Sequence, residues 1–131
     1  MTDRGSRVPL LVSWPGKIEP GSQCNDLVEL ADFLPTFLDL SSAPEPKQSI
    51  DGTSFLPQLL GKEGSPKEWV HIEYIRNRQI RNKEWTYTNK GDLIKINQLG
   101  EPENHPEKKA DHIKSRRKMN KILNEIASGN F

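Results

Sequence analysis

The sequence predicts a mixed α/β chain: a strand with two short helices, followed by a three-stranded antiparallel meander closed by a helix. Three observations carry that prediction. An apolar run rich in β-branched and aromatic residues stops abruptly at Trp14-Pro15-Gly16. From Trp69 onward, apolar and polar residues alternate as they do in half-buried strands. The last segment, Asp111 to Ala127, returns to helical spacing, with Ile113, Met119, Ile122, Leu123 and Ile126 near one stripe.

In chain order, Val8 to Trp14 is expected to be a buried strand, ended by a Pro15-Gly16 turn, with Pro20-Gly21 making a second turn. Leu27 to Ala31 is a brief apolar stretch. Asp32 then reads as the N-cap of a helix whose apolar face is Phe33, Leu34, Phe37, Leu38 and Leu40. Pro35 falls in its first turn, where a missing N–H is harmless. Ser41 to Asp51 is a proline- and serine-rich connector, and Asp51-Gly52 reads as a turn. A second short helix follows, with Ser54 as N-cap, Pro57 in the first turn and Gly61 as its stop.

Three strands are then expected, at Trp69 to Ile75, Gln79 to Thr88 and Asp92 to Leu99. Asn89-Lys90-Gly91 forms a tight hairpin between the last two. Gly100 to Pro106 is a polar loop. The seam falls near Gly61 to Lys67, dividing the chain into 1–64 and 65–131.

Composition narrows the partners. The 131 residues carry a formal net charge of +1, which gives no global attraction to nucleic acid or anionic lipid. Apolar residues make up 33% and mean hydropathy is −0.77, so any core is small. No apolar run approaches the roughly 20 residues that span a bilayer. Met1 to Gly5 is polar, unlike a secretory leader. Cys24 is the one cysteine, so an internal disulfide and a cysteine-based metal cluster are excluded within the chain, and Gln23 and Asn25 offer it no activating base.

Residues that could carry chemistry are scattered. There is no GxSxG elbow, no phosphate-cradling glycine loop and no HExxH pair. His71, His105 and His112 fall on a strand, a loop and a helix, without the i, i+4 spacing that aims two imidazoles at one metal. Asp26, Asp32 and Asp39 read as turn, cap and surface positions. Lys114, Arg116, Arg117, Lys118 and Lys121 form a basic helix face that lacks aromatic partners for stacking on bases, so it reads as solvated. Arg76, Arg78 and Arg81 are more suggestive, because guanidinium forks suit sulfate or phosphate oxygens. His71 sits where a strand rim meets loops. The residues alone give neither a catalytic set nor a metal site.

The order of landmarks adds more. "RGSRVPLLVSWPGKIEPGS", "DLVELADFLPTFLDLSSAP", "IDGTSFLPQLLGK" and "RQIRNKEWTYTNKGDLIKINQLGEPEN" resemble, in that order, four segments of the late catalytic and C-terminal parts of the sulfatase family. The departures are Ile94-Lys95-Ile96-Asn97, where the family usually reads Leu-Tyr-Asp-Leu, and Arg4-Gly5-Ser6, where it has a glycine pair.

This resemblance implies the tail of an alkaline-phosphatase-like α/β domain over 1–64 and a small antiparallel subdomain with its closing helix over 65–131. It implies a sulfate-ester substrate for the whole enzyme and no nucleic-acid or membrane partner. A periplasmic, secreted or lysosomal setting is typical of the family. The family's nucleophile is a formylglycine made within Cys/Ser-x-Pro-x-Arg, beside a calcium or magnesium ion. Neither Cys24-Asn25-Asp26-Leu27 nor Ser42-Ala43-Pro44-Glu45-Pro46 fits that pattern. The expectation is therefore a C-terminal piece without a catalytic residue or metal ligand of its own, in which Arg7, His71 and Arg76 line at most the rim of a substrate pocket. The rival expectation is a non-catalytic module that binds a partner or an anionic glycan.

Overall fold

The computed structural model describes residues 3–96, 102–103 and 110–129. They form two compact units, Leu10–Glu68 and Met1–Pro9 with Trp69–Phe131. The second division lies at Glu68/Trp69, shortly after the seam expected at 64/65, and the first residues group with the sheet. A single helical turn, α1 (Asp3–Ser6), opens the chain.

In the unit Leu10–Glu68 the expected first strand does not form. Val8 to Trp14 has no ladder partner among the described residues, and Leu11 is 92% exposed. An apolar run becomes a buried strand only when neighbouring strands satisfy its backbone N–H and C=O groups. The described strands pair only with one another. Both Pro-Gly turns form as expected. Gly16 and Gly21 adopt φ of 78° and 75°, the conformation that a turn with glycine in third position requires. The turns close through Lys17 N–H to Trp14 C=O at 3.1 Å and Ser22 N–H to Glu19 C=O at 3.2 Å.

A 3₁₀ turn, Leu30–Asp32, leads into α2 (Phe33–Ser41), and α3 (Leu56–Leu59) follows. Gly61 stops α3 with φ 68°, as read from the sequence. Leu34, Phe37 and Leu40, expected on a buried face of α2, are exposed; the buried residue of this helix is Thr36. The Asp51-Gly52 pair does more than turn. A Cβ on Gly52 would lie 2.0 Å from the Ala31 carbonyl oxygen, so only glycine lets the two backbones approach so closely.

In the other unit, β1 (Val70–Tyr74), β2 (Asn77–Arg81), β3 (Trp85–Thr88), β4 (Leu93–Ile96) and β5 (Pro102–Glu103) form one antiparallel sheet in sequence order. The expected three-stranded meander thus has five strands. The stretch expected as one strand from Gln79 to Thr88 folds back on itself, pairing Ile80 with Tyr87. Asn82 makes the fold: its Oδ1 accepts from the N–H groups of Glu84 and Trp85 at 2.9 and 2.7 Å. An asparagine side chain that captures the backbone two and three residues on replaces the strand ladder with a turn. Pro102–Glu103, expected in a loop, pairs with Lys95 and Ile96.

The helix α4 (Ala110–Ala127) closes the unit. Met119, Ile122 and Leu123 pack with Ile80, Trp85 and Tyr87, and Trp69, Leu93 and Ile126 border them. Ile113 lies outside this core, exposed. The Tyr87 hydroxyl donates to Asn120 Oδ1 at 3.1 Å, which gives the polar tip of a buried ring its partner.

Candidate functional site

His71 and Arg76, two of the three rim candidates, lie on the β1–β2 hairpin, His71 on β1 opposite Ile80 and Arg76 in the turn at its far end. Strand alternation puts His71 and Glu73 on one face of β1, and register sets Glu73 opposite Arg78. The Glu73 carboxylate takes a hydrogen bond from Arg78 Nε at 3.0 Å, and its other oxygen lies 3.9 Å from His71 Nε2. That second distance is too long for a hydrogen bond, and Nε2 is buried without a partner. The row His71–Glu73–Arg78 leaves Glu73 neutralised by the arginine. Arg7 lies on a separate segment, exposed, after α1. His112, on α4, packs edge-on against Trp85 with ring centroids 4.6 Å apart. His105 lies outside the described residues.

Arg76 occupies the two-residue turn between Tyr74 and Asn77. Its guanidinium has no partner among the described residues, whereas that of Arg78 is held by Glu73. The turn is fixed from the next hairpin. Asn89 Nδ2 donates to the Arg76 carbonyl at 2.8 Å, and the Asn89 N–H donates to the Arg78 carbonyl at 2.9 Å. From the sequence Asn89 reads only as a turn residue; that it also staples the neighbouring turn depends on the pairing of β2 with β3.

The unit Leu10–Glu68 has a polar centre of its own. Asp32, expected as a helix cap, is 2% exposed and makes no capping bond to α2. Instead Oδ2 accepts from Glu29 N–H at 2.9 Å, Oδ1 accepts from Thr53 N–H at 2.8 Å, and Oδ1 lies 2.6 Å from Lys67 Nζ. Lys67 also pairs with Glu29. Thr36 donates its hydroxyl to the Asp32 carbonyl at 2.6 Å and accepts from Phe55 N–H at 3.0 Å. Partial burial works to lower the pKa of the Lys67 ammonium, but the hydrogen bonds to Asp32 and Glu29 outweigh it and raise the pKa above the ordinary lysine value. The cluster ties the segment around Thr53 to the start of α2.

Among the described residues no three His, Cys, Asp or Glu side chains converge as a cation site, and Cys24 is an exposed thiol. The basic residues Lys114, Arg116, Arg117, Lys118 and Lys121 are exposed on α4. No helix among the described residues is long and apolar enough to cross a membrane.

An antiparallel sheet closed by a helix, preceded in sequence by Trp-Pro-Gly and the α2 and α3 segments, makes this a mixed α/β chain. The family described as N-sulphoglucosamine sulphohydrolase, C-terminal, matches residues 1–126, and the chain belongs to this sulfatase family. It is 34% identical over 113 residues to an ulvan-active sulfatase of Formosa agariphila, covering 76% of this chain and 22% of that protein. It is 33% identical over 109 residues to chicken (Gallus gallus) arylsulfatase K, 73% of this chain and 20% of that one. Human arylsulfatase A is 42% identical over 64 residues, 49% of this chain and 12% of that protein. The matched stretch thus spans 22% or less of the length of each of these relatives.

Proposed function

We propose that this chain is the C-terminal part of a sulfuric ester hydrolase and that the 131 residues by themselves do not turn over substrate. The observation that carries the reading is the family match over residues 1–126, joined to relatives in which the same stretch is 22% or less of the protein. Hydrolysis of a sulfate ester needs an activated nucleophile and a cationic frame for the sulfuryl oxygens. In this reading both come from polypeptide outside these residues, as formylglycine and a calcium or magnesium ion. That polypeptide would complete an alkaline-phosphatase-like domain. It would also supply strand neighbours for Val8 to Trp14, whose exposed apolar side chains support the idea. Arg7, His71 and Arg76 would border the substrate pocket, and the substrate would be a sulfate ester in a periplasmic, secreted or lysosomal setting.

The test is an assay of the purified 131-residue chain with an aryl sulfate and calcium, beside a longer protein that carries this sequence after a Cys/Ser-x-Pro-x-Arg segment. Turnover by the longer protein alone is expected. Metal-dependent turnover by the 131-residue chain would overturn the reading.

A further inference from the structure

β1 is an edge strand: among the described residues it pairs with β2 alone, and α4 packs on β2 and β3. Which of its backbone groups face outward follows from β2. The Arg78 carbonyl accepts from Asn89 N–H at 2.9 Å, and the Arg78 N–H donates to Asn89 Oδ1 at 3.3 Å. Both groups of Arg78 therefore turn away from β1. Glu73, opposite Arg78, then belongs to a pair that exchanges no ladder hydrogen bond with β2. The same holds two residues back for His71, opposite Ile80. The main-chain N–H and C=O groups of His71 and Glu73 thus point out of the sheet, and no other hydrogen bond among the described residues takes them. Proline, lysine or a bulge commonly blunts such an edge. The strand Val70-His71-Ile72-Glu73-Tyr74 has no proline or lysine, and its register with β2 runs without a bulge.

This strand is complementary to itself. Laid antiparallel against a second copy and centred on Ile72, it sets His71 opposite Glu73 of that copy, and Glu73 opposite its His71. In that register each His71–Glu73 pair exchanges both backbone hydrogen bonds, because these are the residues whose groups face outward. The side chains agree with it. His71 Nε2 is buried without a hydrogen-bond partner, and a carboxylate across the strand supplies one. Arg78 Nε holds Oε1 of Glu73, while Oε2 has only the 3.9 Å approach of its own His71. On the other face of the strand Ile72 meets Ile72, and Tyr74, 64% exposed, falls opposite Val70. Backbone direction, charge and apolar pairing all select one register.

We propose that two copies of this chain associate edge to edge through β1, joining their sheets about a two-fold axis at Ile72. The contact goes beyond the sulfatase reading and does not rest on it. It assigns His71 to the contact and leaves Arg7 and Arg76 to the pocket rim.

The test is sedimentation of the 131-residue chain over concentrations up to about 1 mM, with amide hydrogen exchange and cysteine cross-linking beside it. A monomer–dimer equilibrium is expected, with protection of the His71 and Glu73 amides rising as the dimer fills. Ile72→Lys sets like charges face to face on the axis and should weaken association by about tenfold. In a Cys24→Ser background, Ile72→Cys should cross-link two chains on mild oxidation, since the two Cα atoms would lie about 4.5 Å apart. Tyr74→Cys should not, because its two copies would be about 14 Å apart. A chain that stays monomeric throughout, association that Ile72→Lys leaves unchanged, or equal cross-linking at both cysteines would each overturn the proposal. None of these outcomes bears on whether a longer protein hydrolyses an aryl sulfate, so the two readings fail separately.

Discussion

In the sheet unit, Ile80, Trp85 and Tyr87 meet Met119, Ile122 and Leu123 in one apolar cluster, whereas in Leu10–Glu68 the two most buried side chains are Asp32 and Thr36. The first unit is held by area removed from water, a term that adds up over many contacts and asks little of geometry. The second is held by a few buried polar groups, each aimed at a particular N–H or ammonium. Its apolar residues Leu11, Leu30 and Phe37 meanwhile stay exposed. The comparison teaches that the two halves should fail differently. The sheet unit should lose stability in proportion to volume removed, and the other should lose it when one polar hub is left unpaired.

The largest effect is expected at that hub. Asp32→Ala removes the acceptor for Glu29 N–H and Thr53 N–H and strands the Lys67 ammonium, for a loss of about 3–5 kcal/mol. Urea unfolding followed through NMR signals of residues 10–68 measures it, and a loss below about 1 kcal/mol would show that the hub does not hold this unit. Ile80→Ala comes next. Ile80 is fully buried (0% exposed), and its truncation should cost about 2–5 kcal/mol, read from the signals of the strands and α4. If Ile80→Val costs as much as Ile80→Ala, the idea that volume sets the loss in this unit is wrong.

The smallest effect concerns pH. The raised pKa of Lys67 means that the folded chain holds this proton more tightly than the unfolded chain does. Its contribution is therefore complete below the unfolded lysine value of about 10.4 and is lost as pH rises through the folded value. A melting series from pH 8 to 12 should show an alkaline drop for residues 10–68 that is reduced in Lys67→Met. An equal drop in both proteins would remove Lys67 from the account.

How much could be read from the sequence follows the same division. The alternation from Trp69 onward and the Met119, Ile122 and Leu123 spacing pointed to a sheet packed on a helix, because burial against one neighbouring layer imposes a period on each element. Gly16, Gly21, Gly61 and Gly91 marked turns or a helix stop, since positive φ is cheap only for glycine. The break at Asn82 was passed over, although four polar residues, Arg81 to Glu84, interrupt the alternation there and shift its phase between Ile80 and Trp85; the asparagine side chain then makes the turn. At the candidate site, Arg76 stood out as a guanidinium near a turn, while the hydrogen bonds from Asn89 to the Arg76 and Arg78 carbonyls were invisible. Those depend on which neighbours the asparagine meets.

By itself, the sequence determined the period-2 strands, the closing helix, the Pro-Gly turns and membership in the sulfatase family, all of which are local patterns or ordered landmarks. Only the tertiary structure decided that Asp32 is a buried hub, that Gly52 admits the Ala31 backbone, and that Gln79 is sealed without a partner. The physical reason is that a propensity belongs to one residue and its near neighbours. The worth of a buried polar group is set by distant atoms, and only the folded chain brings those within hydrogen-bond reach.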